Sequence, residues 1–173
     1  KGPTGMVRAM SGIGTFSEYS VVHENSIVKV GDWYPLDAVA ITSCGVATGW
    51  GSAVNVAGVK AGDTVVVIGT GGIGINAVQG AAMAGAANVI AVDPVEMKRE
   101  FAQTVGATHA VASIEEAGPL VQDLSWGRGA NAVLLTVGDA TSDLFAPAMA
   151  LVGKAGNLTL TSLSNITQNE ITL

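Results

Sequence analysis

Charge is scarce in this chain. Asp, Glu, Lys and Arg make up only 13% of 173 residues, with 8 basic against 14 acidic side chains and a net charge of −6. The few Lys and Arg are scattered, so no basic stripe is available for nucleic acid and no polybasic run for an anionic membrane. Aromatic residues are equally sparse, and Trp33, Trp50 and Trp126 lie too far apart for a base-stacking platform. No long apolar run escapes interruption by a polar residue or a glycine cluster, which excludes a membrane span. The opening Lys1-Gly2-Pro3-Thr4-Gly5 is polar and loop-like, unlike a signal peptide. Cysteine occurs once, at Cys44. That rules out an internal disulfide and points to a reducing, cytoplasmic setting. What the chain has in quantity is apolar residues, at 49%, and 23 glycines. A large core with strands buried on both faces suits an α/β fold better than a one-sided antiparallel sheet.

The most informative segment is Thr64-Val65-Val66-Val67-Ile68-Gly69-Thr70-Gly71-Gly72-Ile73-Gly74. Thr64 to Ile68 reads as a buried parallel strand, and Gly69, Gly71 and Gly74 fit G-x-G-x-x-G. A helix-like run follows from Ile75 to Ala84, then a second apolar strand, Asn88 to Val92, ending on Asp93. Strand, turn, helix, strand and acid in that order form the βαβ dinucleotide fingerprint. Gly69 permits the tight turn, Gly71 lets backbone approach a pyrophosphate, and Gly74 lets the helix pack close on the strand. The helix N-terminus, with Gly72 and Ile73, offers free N–H groups and a positive dipole end to phosphates. Asp93 stands where a carboxylate accepts the ribose hydroxyls of an adenosine and repels a 2′-phosphate, so NAD is expected over NADP.

The remaining pattern extends this alternation. Phe16 to Val22 partly alternates and Ser26 to Val30 alternates better, so both read as short strands. Ala38 to Val59 reads as one or two helices broken near Cys44-Gly45. After Asp93, helices are expected over Glu96–Val105, Glu115–Leu124 and Ser142–Leu151, the last stopped by Gly153 and Gly156. Strands are expected over His109–Ala112, Ala132–Thr136 and Asn157–Thr161. This is a doubly wound parallel (Rossmann) sheet, preceded by a short β-rich piece. It is one strand short of the six-stranded dinucleotide fold, so the chain is expected to be a fragment of a longer polypeptide; a five-stranded flavodoxin-type order is the alternative.

Four separated features converge: Gly14-Thr15-Phe16-Ser17-Glu18-Tyr19, Cys44-Gly45-Val46-Ala47-Thr48-Gly49-Trp50-Gly51, the glycine fingerprint, and Asp93 followed by Lys98. Over nearly its whole length the chain resembles the medium-chain, zinc-dependent alcohol dehydrogenases. Residues 93–100 and 146–154 look most like the actinobacterial, NDMA-dependent (nicotinoprotein, mycofactocin-associated) branch. The resemblance implies residues 1–44 as the C-terminal piece of a GroES-like catalytic domain and residues 45–173 as an incomplete NAD-binding domain. It implies Cys44 as a catalytic zinc ligand, Thr48 beside the nicotinamide ring, and Phe16 as a pocket aromatic near the alcohol. Asp93 and Lys98 would hold the adenosine ribose, and Val137 and Gly138 the adenine side. Ser162 falls in the nicotinamide-side loop, where many members carry glycine. It further implies an enzyme interconverting a primary alcohol and an aldehyde with NAD and zinc, and a homo-oligomer, dimer or tetramer, when full length.

Departures temper that carry-over. A catalytic zinc needs three protein ligands, and the family's upstream cysteine and histidine are not in this sequence, nor is the four-cysteine structural lobe. The chain alone is therefore not expected to catalyse. Competing readings stand beside these roles. A lone cysteine is commonly a small buried residue. Lys98 also suits an exposed helix face, and His23 and His109 suit a solvated surface. Two other functions remain open: a zinc-free, quinone-reductase-like enzyme, against which Cys44 argues, and a non-catalytic nucleotide-binding module.

Overall fold

The computed structural model describes residue 15 and residues 17–162. The chain divides between Leu36 and Asp37 into two compact units. In the first, residues 17–22 and 26–30 do not form the expected strands. The described part holds only a 3₁₀ turn at Glu24–Ser26, where His23 Nδ1 accepts from the Asn25 N–H at 3.2 Å. Alternation makes a strand only where a neighbour supplies ladder partners, and Val21 and Val28 here stand open to solvent. The β-rich expectation for this segment is therefore not met among the described residues.

A continuous helical stretch starts at this boundary and opens the second unit. It comprises α1 (Leu36–Ile41), a π-helical turn (Thr42–Val46), α2 (Ala47–Gly51) and a second π turn (Ser52–Val56). The break expected near Cys44-Gly45 is thus a widening of the helix rather than an end. From there strands and helices alternate: β1 (Thr64–Ile68), α3 (Gly72–Met83), β2 (Asn88–Val92), α4 (Glu96–Thr104), β3 (His109–Val111), α5 (Ile114–Leu124), β4 (Ala130–Leu135), α6 (Ser142–Ala150) and β5 (Val152–Leu160). All strands are parallel, in the order β3-β2-β1-β4-β5. That is the dinucleotide order, not the flavodoxin one.

Alternating residues of the central strands feed two separate cores. Val65, Val67, Val89, Ala91 and Leu134 pack beneath α3 and the Ala53–Val59 segment. Val66, Ile68, Ile90, Val133 and Leu135 pack against α5 and α6. Val65, Val66 and Val67 are fully buried, which explains why β1 reads as an unbroken apolar run. The helix over α2 approaches α3 closely because Gly49 has no side chain: a Cβ there would collide with the Ile73 carbonyl oxygen. Small residues at that crossing bring the Cys44–Thr48 segment against the start of α3.

β5 starts five residues earlier than expected. Gly153 and Gly156 do not stop α6; they lie in a bulge. Ala130 pairs with Val152 but Ala132 pairs with Asn157, so residues 153–156 loop out of the ladder. Ala155 takes a left-handed φ of 64° there, and a Cβ at Gly153 would strike the Arg128 carbonyl oxygen.

Candidate nucleotide site

The C-terminal ends of β1, β2 and β4 converge on the glycine loop. Gly69 has φ 86°, and a Cβ on it would stand 2.8 Å from Val137 Cγ1. Its conformation and its neighbour both require glycine. Gly74 lies under the loop, where a Cβ would overlap the Gly69 carbonyl oxygen and come within 2.6 Å of Thr136 Oγ1. A Cβ on Gly71 would instead project into open space. The first α3 hydrogen bond runs from the Ile75 N–H to the Gly71 carbonyl, and no side chain caps the helix. The N–H groups of Gly72, Ile73 and Gly74 thus sit in the unpaired first turn. This is a cradle in which an anion can approach backbone.

Asp93 closes the cradle from β2. Its side chain is 4% exposed, yet every described contact favours the carboxylate. The Thr70 N–H donates to Oδ2 at 2.9 Å, the Thr70 hydroxyl to the same oxygen at 3.2 Å, and the Val95 N–H to Oδ1 at 3.0 Å. Lys98 Nζ stands 3.9 Å from Oδ2. Burial pushes the Asp93 pKa up; the Val95 and Thr70 hydrogen bonds and the Lys98 charge outweigh it and hold the group below its ordinary 3.8. The site presents an anion ringed by fixed donors.

A cleft of about 500 Å³ opens over these groups, lined by Gly69, Gly71, Asp93, Lys98, Val137 and Gly138 among others. A second recess of about 290 Å³ holds Cys44, Thr48, Ile73, Gly138 and Ser162. The two share Thr136, Val137 and Gly138 as a common wall. The structure therefore gathers nearly all the residues singled out from the sequence along one groove. Phe16 lies outside the described residues. Cys44 is exposed, unlike the small buried residue of the competing reading. His23 is exposed as expected, whereas His109 is half-buried on the edge strand β3 with the Thr108 hydroxyl 2.9 Å from Nδ1. Among the described residues no group of three His, Cys, Asp or Glu side chains could hold a metal, and no helix is long and apolar enough to cross a membrane.

Several participants escaped the sequence reading. Thr136, at the end of β4, donates its hydroxyl toward the Ile68 and Gly69 carbonyls at 3.0 and 2.5 Å, tying the glycine turn to the neighbouring strand. Ser52 links α2 to the end of β5: its hydroxyl donates to the Thr48 carbonyl at 2.7 Å and stands 2.8 Å from Thr161 Oγ1. Arg99 forks onto the Asp93 and Pro94 carbonyls. None carries a motif; a polar residue at a strand's C-terminal end is the only signal Thr136 gives.

Comparison with known proteins gives the family and the fold. Residues 72–173, more than half of the chain, match the family described as zinc-binding dehydrogenase. The chain belongs to the zinc-binding dehydrogenase family. It is 54% identical over 157 residues to the NDMA-dependent alcohol dehydrogenase of Amycolatopsis methanolica, covering 91% of this chain and 42% of that protein. A putative alcohol dehydrogenase D of Mycobacterium tuberculosis is 48% identical over the same length, 43% of its own. Benzyl alcohol dehydrogenase of Acinetobacter calcoaceticus superposes with a TM-score of 0.84 at 26% identity, across 93% of this chain and 44% of that one. The chain thus spans less than half the length of the dehydrogenases it matches.

Proposed function

We propose that this chain is the cofactor-binding portion of an NAD-dependent alcohol dehydrogenase that interconverts a primary alcohol and an aldehyde. The observation that supports it most is the continuous groove. One end presents an ionised, buried carboxylate beside an open glycine cradle, and the other presents Thr48 and an exposed thiol. In this reading the Gly71–Gly74 N–H groups bind the pyrophosphate, and Asp93 with Lys98 binds the adenosine ribose. Val137 and Gly138, part of the wall that the two recesses share, serve the adenine side, Ser162 borders the nicotinamide side and Thr48 presses on the ring. The nicotinamide, when bound, supplies the hydride acceptor. Phe16 remains assigned as a pocket aromatic. The described residues hold no complete metal site, so Cys44 is proposed as one zinc ligand with the others supplied from outside this chain. We assign the full-length protein to the cytoplasm as a dimer or tetramer.

The carboxylate makes the cofactor choice testable. Asp93 accepts hydroxyls and repels a 2′-phosphate, so the full-length protein should bind NAD at least tenfold more tightly than NADP, about 1.4 kcal/mol. Asp93→Ala should weaken NAD and narrow the gap. Fluorescence titration with both cofactors measures it, and equal or tighter NADP binding would sink the reading.

A further inference from the structure

Asp93 owes its carboxylate geometry to a turn that an arginine holds from behind. After β2 the chain bends through Asp93-Pro94-Val95 into α4, whose N-terminal boundary is Val95. Arg99 Nη1 donates to the Asp93 carbonyl at 2.8 Å and to the Pro94 carbonyl at 2.9 Å. The Pro94 carbonyl and the Val95 N–H belong to one planar peptide unit. That N–H is the donor on Asp93 Oδ1. Fixing the carbonyl therefore fixes the direction of the N–H, and with it the plane of the carboxylate. The neighbouring Lys98 works on the other oxygen, 3.9 Å from Oδ2. Successive basic residues on α4 thus act on different parts of one group. Lys98 offsets its charge, and Arg99 holds the peptide that aims it. Proline at 94 suits this arrangement, because it has no N–H to satisfy and a fixed φ.

We propose that Arg99 is a positioning residue for cofactor selection, orienting Asp93 toward the ribose diol through the Pro94–Val95 peptide. The inference rests on the nucleotide reading above. Arg99 Nη1 is engaged by the two carbonyls, which assigns this arm of the guanidinium to holding the turn. Both bonds come from Nη1, whose two N–H directions are fixed by the planar guanidinium; lysine keeps the charge but carries it on a freely rotating ammonium that does not fix the peptide's direction.

The test is a double-mutant cycle on the full-length protein, reading dissociation constants for NAD and NADP by titration. Arg99→Gln should weaken NAD about fivefold, the size of losing one or two ordinary hydrogen bonds, and NADP less than twofold, so the preference narrows. In an Asp93→Ala background the same substitution should leave the NAD-to-NADP ratio unchanged, since nothing remains to be aimed. If Arg99→Gln fails to fold by circular dichroism, Arg99→Lys serves in its place and should narrow the ratio in the same direction. A wild-type protein with no preference for NAD would defeat the nucleotide reading itself. A wild type that prefers NAD while the Arg99 variant keeps the same ratio would overturn the Arg99 inference alone. So would a ratio change of equal size with and without Asp93, which marks a general structural loss.

Discussion

A carboxylate has room for about four hydrogen-bond donors, and Asp93 already accepts three from the protein, two of them from Thr70. Accepting both hydroxyls of a ribose then requires one resident donor to leave. The Thr70 hydroxyl, at 3.2 Å the longest of the three, is the one that can rotate away without moving backbone. Thr70→Val removes that competitor at nearly constant shape, and NAD binding should tighten by up to about threefold, within the net worth of one hydrogen bond. Unchanged or weaker binding in a titration would mean the hydroxyl helps the cofactor instead. The same donors set the pH response. They hold Asp93 ionised below its ordinary 3.8, so its stabilising contribution is complete above that value and is lost as pH falls through the lower folded-state pKa. Melting temperatures followed from neutral pH downward should therefore fall less steeply for Asp93→Asn than for wild type below about pH 4. Parallel curves for the two proteins would show that the carboxylate contributes nothing to acid stability.

Within the β1–α3 element, glycines of one motif answer to different physics, and substitution separates them. At Gly74 a Cβ overlaps the Gly69 carbonyl, so Gly74→Ala should destabilise the fold by about 3 kcal/mol, the cost of overpacking against backbone that has nowhere to go. At Gly71 a Cβ meets nothing within 4 Å and φ is −71°. Gly71→Ala should leave stability within about 0.5 kcal/mol but occupy the space a pyrophosphate needs, weakening NAD at least tenfold. Thermal melts and NAD titrations on the two variants distinguish them, and a loss of stability at Gly71 matching that at Gly74 would contradict the assignment. Elements of this kind were legible because one pattern carries both the local turn and the packing: β1, β2 and the glycine loop fall where the sequence puts them. The bulge at residues 153–156 was not legible, since two glycines before a strand look like a helix stop unless the partner strand's register is known. Nor were strands at 17–22 and 26–30 decidable from alternation, which needs a pairing neighbour to become a ladder. Thr136, Ser52 and Arg99 were invisible for a related reason: Thr136 holds carbonyls of β1 and Ser52 meets Thr161, both distant in sequence, while Arg99 folds back around a turn, and single-chain spacing does not encode such contacts.

At the scale of the molecule, the groove separates two groups of residues. In the proposed reading, nucleotide recognition lies on β1, β2 and the start of α3, whereas Cys44 and Thr48 lie on the helical stretch that packs over α3 through Gly49. The thiol is exposed, on a different element from the donors that organise the cradle. A change confined to its sulfur should leave the nucleotide end undisturbed. Cys44→Ser is nearly isosteric, but a hydroxyl is a poor zinc ligand at neutral pH where a thiolate is a good one. In the full-length protein, the variant should hold less than half the zinc of wild type after dialysis while its NAD dissociation constant stays within about twofold of wild type, under ~0.5 kcal/mol. Alcohol oxidation should fall below a tenth, a loss of more than ~1.4 kcal/mol. Metal content separates this from a packing defect, because a damaged core would lower the melting temperature and the NAD affinity along with the zinc. Full zinc occupancy in the serine variant would show that Cys44 is no ligand, and the groove would then bind a dinucleotide with its metal chemistry, if any, located elsewhere in the protein.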